Sequence, residues 1–171
     1  MATAAEIAAV DAFLADPKTL AGSPPEFGPT TFHKKGGFEW AATWPMQSSQ
    51  GVVETGQLRF VARGYGLFSI AVILKSQGIC RLDFEDPDDC HANPHWAGSL
   101  GLPAVVCGPH CHTWEHNREH ILNSGQWQLP AREPLPVQVR KFEQAFPRLA
   151  QRINLVLSSE QREFELPPSL V

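Results

Sequence analysis

The stretch Phe68-Ser69-Ile70-Ala71-Val72-Ile73-Leu74, followed by Ile79-Cys80-Arg81-Leu82-Asp83-Phe84, decides the fold class. The first run is almost wholly apolar, the pattern of a strand buried on both faces. The second alternates: Cys80, Leu82 and Phe84 share one side, and Arg81 and Asp83 share the other. Upstream, Leu58, Phe60 and Ala62 alternate with Gln57, Arg59 and Arg63, and Phe38, Trp40, Ala42 and Trp44 repeat the period. Short glycine-containing connections join these four runs, so they read as an antiparallel meander. Ala104-Val105-Val106-Cys107 reads as a short fifth strand.

On either side of the meander the period changes to helical. Thr3-Ala4-Ala5-Glu6 is a capping box, and Ile7, Val10 and Leu14 follow on one helical face until Asp16-Pro17 stops the run. Near the other end, Phe142, Phe146, Leu149 and Ile153 form an amphipathic face, with Pro147 expected to kink that helix or to start a second one. The expected class is α+β. It divides into an N-terminal helix and loop (1–30), a β-meander (36–107), a His/Cys-rich segment (108–135) and C-terminal helices (136–157).

A length of 171 residues suits one domain. Fourteen Lys and Arg against 18 Asp and Glu leave a net charge of −4, which excludes a nonspecific nucleic-acid coat and makes nucleic acid an unexpected partner. No apolar run is long enough to span a membrane, and the first residues lack a basic leader, so the expected location is cytoplasmic. In that compartment Cys80, Cys90, Cys107 and Cys111 are expected as thiols or ligands before they are expected as bridges.

Six of the seven histidines and all four cysteines fall between residues 80 and 120. Three chemistries fit that crowding. Zinc takes Cys and His ligands, and Cys107, His110, Cys111 and His112 offer four, with Cys90 or His91 as replacements for an awkwardly placed one. On a strand, His110 and His112 share a face from which Cys111 points away. His116-Asn117-Arg118-Glu119-His120 matches the H-x-x-E-H of an inverted zinc peptidase, or else a solvated helix. Cys111, set between two imidazoles just after Gly108-Pro109, reads as a nucleophile whose thiolate His⁺ would stabilise. In that case the Asn93 amide could hold an oxyanion.

Two resemblances follow from these motifs. Arg81-Leu82-Asp83-Phe84, His91-Ala92-Asn93-Pro94, Pro109-His110-Cys111-His112, Trp127 to Pro130 and Phe142 to Leu155 resemble an uncharacterised bacterial family with an H-x-N-P and P-H-x-H signature. More distantly, the order of helix, meander, His91-Ala92-Asn93, cysteine segment, Trp127-Gln128-Leu129-Pro130 and helices resembles the ubiquitin-conjugating (E2-like) fold.

The E2-like resemblance implies a carrier of a ubiquitin-like protein, held as a thioester on Cys111 or, second, on Cys107. Asn93 would steady the oxyanion, and His91, His110 and His112 would shape the site. No cofactor would be needed, and the partners would be an activating enzyme and the modifier. The alternative is a His- or metal-dependent hydrolase or nuclease in which His91, His110 and His112, with Asp83 or Glu115, bind metal or act as acid and base. A third reading is a zinc-stabilised module without catalysis, with ligands drawn from Cys107, His110, His112 and His91.

Overall fold

A computed structural model describes residues 1–30, 39–48 and 56–166; Phe38 and the Pro167-Pro168 tail lie outside them. Thr3 caps α1 (Ala4–Ala15), its hydroxyl accepting from the Glu6 N–H while the Glu6 carboxylate accepts from the Thr3 N–H at 2.8 Å. β1 (Lys18–Leu20) and β2 (Gly28–Pro29) both pair with β3 (Trp40–Ser48). β4 (Gly56–Gly64), β5 (Leu67–Leu74) and β6 (Gln77–Phe84) follow as consecutive antiparallel neighbours. Lys75 and Ser76 make the β5–β6 turn, and both have positive φ, the backbone that a tight hairpin of this hand requires.

β7 (Cys90–Ala92) and β8 (Val105–Cys107) form a separate hairpin around the 3₁₀ turn His95–Leu100. The expected fifth strand therefore exists but does not join the main sheet. β9 (His110–His112) joins it instead, pairing with β6 on one side and with β10 (Glu133–Pro134) on the other. Among the described residues the main sheet has eight strands in the order β1-β3-β4-β5-β6-β9-β10, with β2 also on β3. The architecture is mixed α and β on an antiparallel sheet wider than the sequence suggests. The period-2 signal cannot be read in three residues of β9 or two of β10.

α2 (Trp114–Ser124) begins directly after β9, capped by the Thr113 hydroxyl. It is tied to α1 where Asp11 accepts from Trp114 Nε1 at 2.8 Å and from Arg118 at 2.8–3.0 Å. α3 (Phe142–Arg152) runs through Pro147 without a break, and α4 (Ser159–Arg162) closes the described chain. One sheet face carries Trp44, Leu58, Phe60, Ile70, Val72 and Leu82, and α1 and α3 bury Ile7, Val10, Phe142, Phe146 and Leu149 in the same core. Phe60 is its hub, with ring contacts to Phe142, Phe146 and Phe164. Among the described residues no helix is long and apolar enough to cross a membrane.

Residues 125–132 have no strand or helix of their own, and two asparagines supply the backbone partners of Ala131 and Arg132. Asn117, fully buried on α2, accepts from the Ala131 N–H at 2.8 Å and donates to the carbonyls of Ala131 and Thr113 at 2.9 and 2.8 Å. Asn93 does the same one residue on, accepting from the Arg132 N–H at 2.9 Å and donating to the carbonyls of Arg132 and Pro103, each at 2.8 Å. An Asn117→Ala chain leaves buried amide groups unmatched, and urea denaturation is expected to show a loss of about 2 kcal/mol.

Candidate functional site

The site grows out of strand register. On the sheet face turned away from the helices, Arg59, Ala71, Arg81 and His112 stand opposite one another in one row, and Val61, Ser69, Asp83 and His110 in the next. The alternation that buries Cys80 and Leu82 thus sends Arg81 and Asp83 to the other face, where β9 meets them with its two histidines. Asp83, His110 and His112 are each 4% exposed or less.

Backbone carbonyls fix both imidazoles. His110 Nδ1 lies 2.8 Å from the Gly108 carbonyl, and His112 Nδ1 lies 2.5 Å from the Leu129 carbonyl. A carbonyl only accepts, so each Nδ1 carries a proton and each ring turns its Nε2 toward Asp83. His110 Nε2 is 3.6 Å and His112 Nε2 is 3.4 Å from Asp83 Oδ2. All three candidate ligand atoms fall within 4.8 Å of one another. Arg81 closes one side, donating from Nε to Asp83 Oδ2 at 2.6 Å and standing with Nη2 3.0 Å from His112 Nε2.

The electrostatics keep Asp83 ionised. Burial pushes the Asp83 carboxyl up, but the contact with His112 and the charge and hydrogen bond of Arg81 outweigh it and hold it at about 2. Burial pulls His110 below the usual imidazole range against the raising effect of its Gly108 bond, so this ring stays neutral. One carboxylate and two imidazoles are a His₂–carboxylate set of the kind that catalytic zinc uses.

The structure redistributes the other expected site residues. Cys107 is bonded to Cys90 in a cross-strand disulfide of the β7–β8 hairpin, so neither sulfur serves as nucleophile or metal ligand there, contrary to expectation. Cysteine pairing is not deducible from sequence alone. Cys111 is free but 2% exposed, at the base of a cleft of about 270 Å³ with Leu82, Leu149 and Arg152, across the sheet from the histidines. A hydrogen bond with Cys80, and then burial, push its thiol well above the ordinary range. The flanking imidazoles, on the other face, do not tune it.

Asn93 is not free to hold an oxyanion, since its amide is used in positioning residues 103 and 132. His91 stands beside the cluster rather than in it: its ring is 5.5 Å from that of His110, and its Nε2 meets Glu85 Oε2 at 2.6 Å. The H-x-x-E-H match also dissolves. His116 faces Glu133 at 3.7 Å while His120 stacks on Trp96 at 5.3 Å, and the described residues form no metal-ligating group there. Glu115 is exposed on α2, outside the cluster.

Arg81 and Arg132 line a groove together with His112, and the sequence alone assigns neither a role. The alternation of Arg81 with Leu82 carried the signal for the first, and no local pattern marks the second. Comparison of the chain with protein-family models, with curated proteins and with solved structures finds no match.

Proposed function

We propose that the chain is a metal-dependent hydrolase whose divalent ion, zinc by its ligand preference, is held by Asp83, His110 and His112. The convergence of two imidazole Nε2 atoms on a buried carboxylate carries this reading. The three potential ligand atoms lie within 4.8 Å of one another, and Arg81 reaches only two of them, those of Asp83 and His112.

Three protein ligands leave zinc a further position, which separates a catalytic centre from a closed structural one. The ion, when bound, supplies Lewis acidity and lowers the pKa of a coordinated water. The chain does the rest. The Gly108 and Leu129 carbonyls orient the imidazoles, Arg81 steadies the carboxylate, and Asn93 with Asn117 holds the segment bearing Leu129 and Arg132. In the reaction, water oxygen bonds to the ester's central atom, the bond to the leaving oxygen breaks, and that oxygen takes a proton from the water.

The thioester-carrier reading, with its activating enzyme and modifier, keeps the order of elements in its favour. It lacks a sulfur exposed to a partner among the described residues, with Cys107 bonded and Cys111 at 2% exposure. A Cys111→Ala variant is expected to hydrolyse substrate within about twofold of the parent in a rate assay, because the thiol lies across the sheet from the cluster. A collapse of activity in that variant would return the argument to sulfur chemistry.

Elemental analysis of the purified protein tests the centre directly, with about one zinc per chain expected. Saturating zinc at roughly 100 times its dissociation constant adds about 2.7 kcal/mol, so chelation should lower the melting temperature. A metal-free preparation that neither takes up zinc nor shifts its melting curve would refute the reading.

A further inference from the structure

The cluster opens, through His112 and Arg81, onto a groove of about 750 Å³ on the helix-free face of the sheet. Its walls are cationic although the whole chain carries −4: Arg59, Arg63, Arg81 and Arg132 line it, against Glu39 as the lining carboxylate. Two of these charges are already matched. Arg63 donates to Glu39 at 3.0 Å, and Arg81 to Asp83 at 2.6 Å.

The other two are not. Arg59 is exposed and has no ion pair or hydrogen bond among the described residues. Arg132 has a buried Nε with no partner. Burial, and then the nearby Arg81 charge, pull the Arg132 guanidinium below its ordinary range, against the raising effect of the Glu85 and Asp83 carboxylates. Register sets the spacing. Ala71 stands between Arg59 and Arg81 on the middle strand, and its methyl group leaves the floor open between two guanidinium groups.

We infer that this groove seats the phosphoryl group of a small phosphate monoester, between Arg59, Arg81 and Arg132, and that this ester is what the metal centre hydrolyses. The naming of the ligand as substrate rests on the hydrolase reading. Two guanidinium groups without an ion pair favour a dianion, and a phosphate monoester carries close to two negative charges at neutral pH, whereas a carboxylate carries one. Guanidinium forks match phosphate oxygens two at a time. The volume falls in the range of small-molecule sites, and an acidic chain does not attract nucleic acid. Water oxygen bonds to phosphorus, the ester P–O bond breaks, and the released alcohol oxygen takes the water's proton, so water is the sole co-reactant.

Calorimetric titration of the full chain with inorganic phosphate, beside turnover of phenyl phosphate and of uncharged phenyl acetate, tests the assignment. Arg59 does not touch the cluster, so Arg59→Gln should leave zinc content unchanged while weakening phosphate binding about tenfold or more. Phenyl phosphate should be cleaved and phenyl acetate should not. Phosphate affinity unaltered in both Arg59→Gln and Arg132→Gln would overturn the seat, and so would zinc-dependent cleavage of phenyl acetate alone, which leaves the hydrolase intact. A chain without zinc that still binds phosphate through Arg59 would uphold the seat while the hydrolase reading fails.

Discussion

Asp83→Asn should strip the chain of zinc and lower hydrolysis by at least about three orders of magnitude. The amide is isosteric and keeps an oxygen for the Arg81 N–H to meet, so shape and most packing survive. What disappears is the one anionic ligand of the three. Lewis-acid stabilisation is worth several kcal/mol, and about 4 kcal/mol at roughly 1.4 kcal/mol per decade is a thousandfold in rate. Zinc content and steady-state rate measured on one preparation, with far-UV circular dichroism to confirm the fold, check this. His112→Ala should give the same pair of losses through a different ligand. A folded Asp83→Asn protein retaining full zinc and full rate would remove the carboxylate from the centre.

The two halves of this site were legible to very different degrees. The H-x-H spacing was enough to place His110 and His112 on one strand face and Cys111 on the other, because side-chain direction in a strand alternates with no help from tertiary structure. The same rule set Asp83 and Arg81 apart from Cys80 and Leu82. That Asp83 stands opposite His110 was not legible. β6 and β9 are separated in sequence by the whole β7–β8 hairpin, and their register depends on how that hairpin folds back. The Cys90–Cys107 bond is nonlocal in the same sense, since four cysteines allow several pairings. Asn93 drew attention through its motif for an oxyanion role that it does not fill. Its amide satisfies backbone that has no strand of its own, a need that shows only when the chain is folded.

Lys18 escaped the sequence reading altogether, and it carries the largest stability effect expected outside the metal centre. It is 1% exposed on β1, and its Nζ donates to the carbonyls of Asp16 and Ile153, each at 2.6 Å. Those two residues are the C-caps of α1 and α3, so one ammonium meets the negative ends of two helices. The Phe13 ring lies 4.6 Å beneath it. Burial nonetheless dominates and brings this lysine from 10.5 to about 8, opposed by the charge of Asp16. The sign then follows from proton counting. Below pH 8 both folded and unfolded chains hold the proton, and the burial cost is felt in full. Between pH 8 and about 10.5 the folded chain has shed a proton that the unfolded chain still binds, so stability rises with pH. Integrated over that interval, the gain is about 3 kcal/mol. The neutral amine keeps two N–H groups, enough for both carbonyls, so the cross-link outlasts the charge. Lys18→Met has no such titration. Urea unfolding of both proteins from pH 7 to 10.5 should show the parent gaining about 3 kcal/mol on the variant, all of it above pH 8, and parallel curves would mean that the buried ammonium keeps its ordinary affinity for the proton.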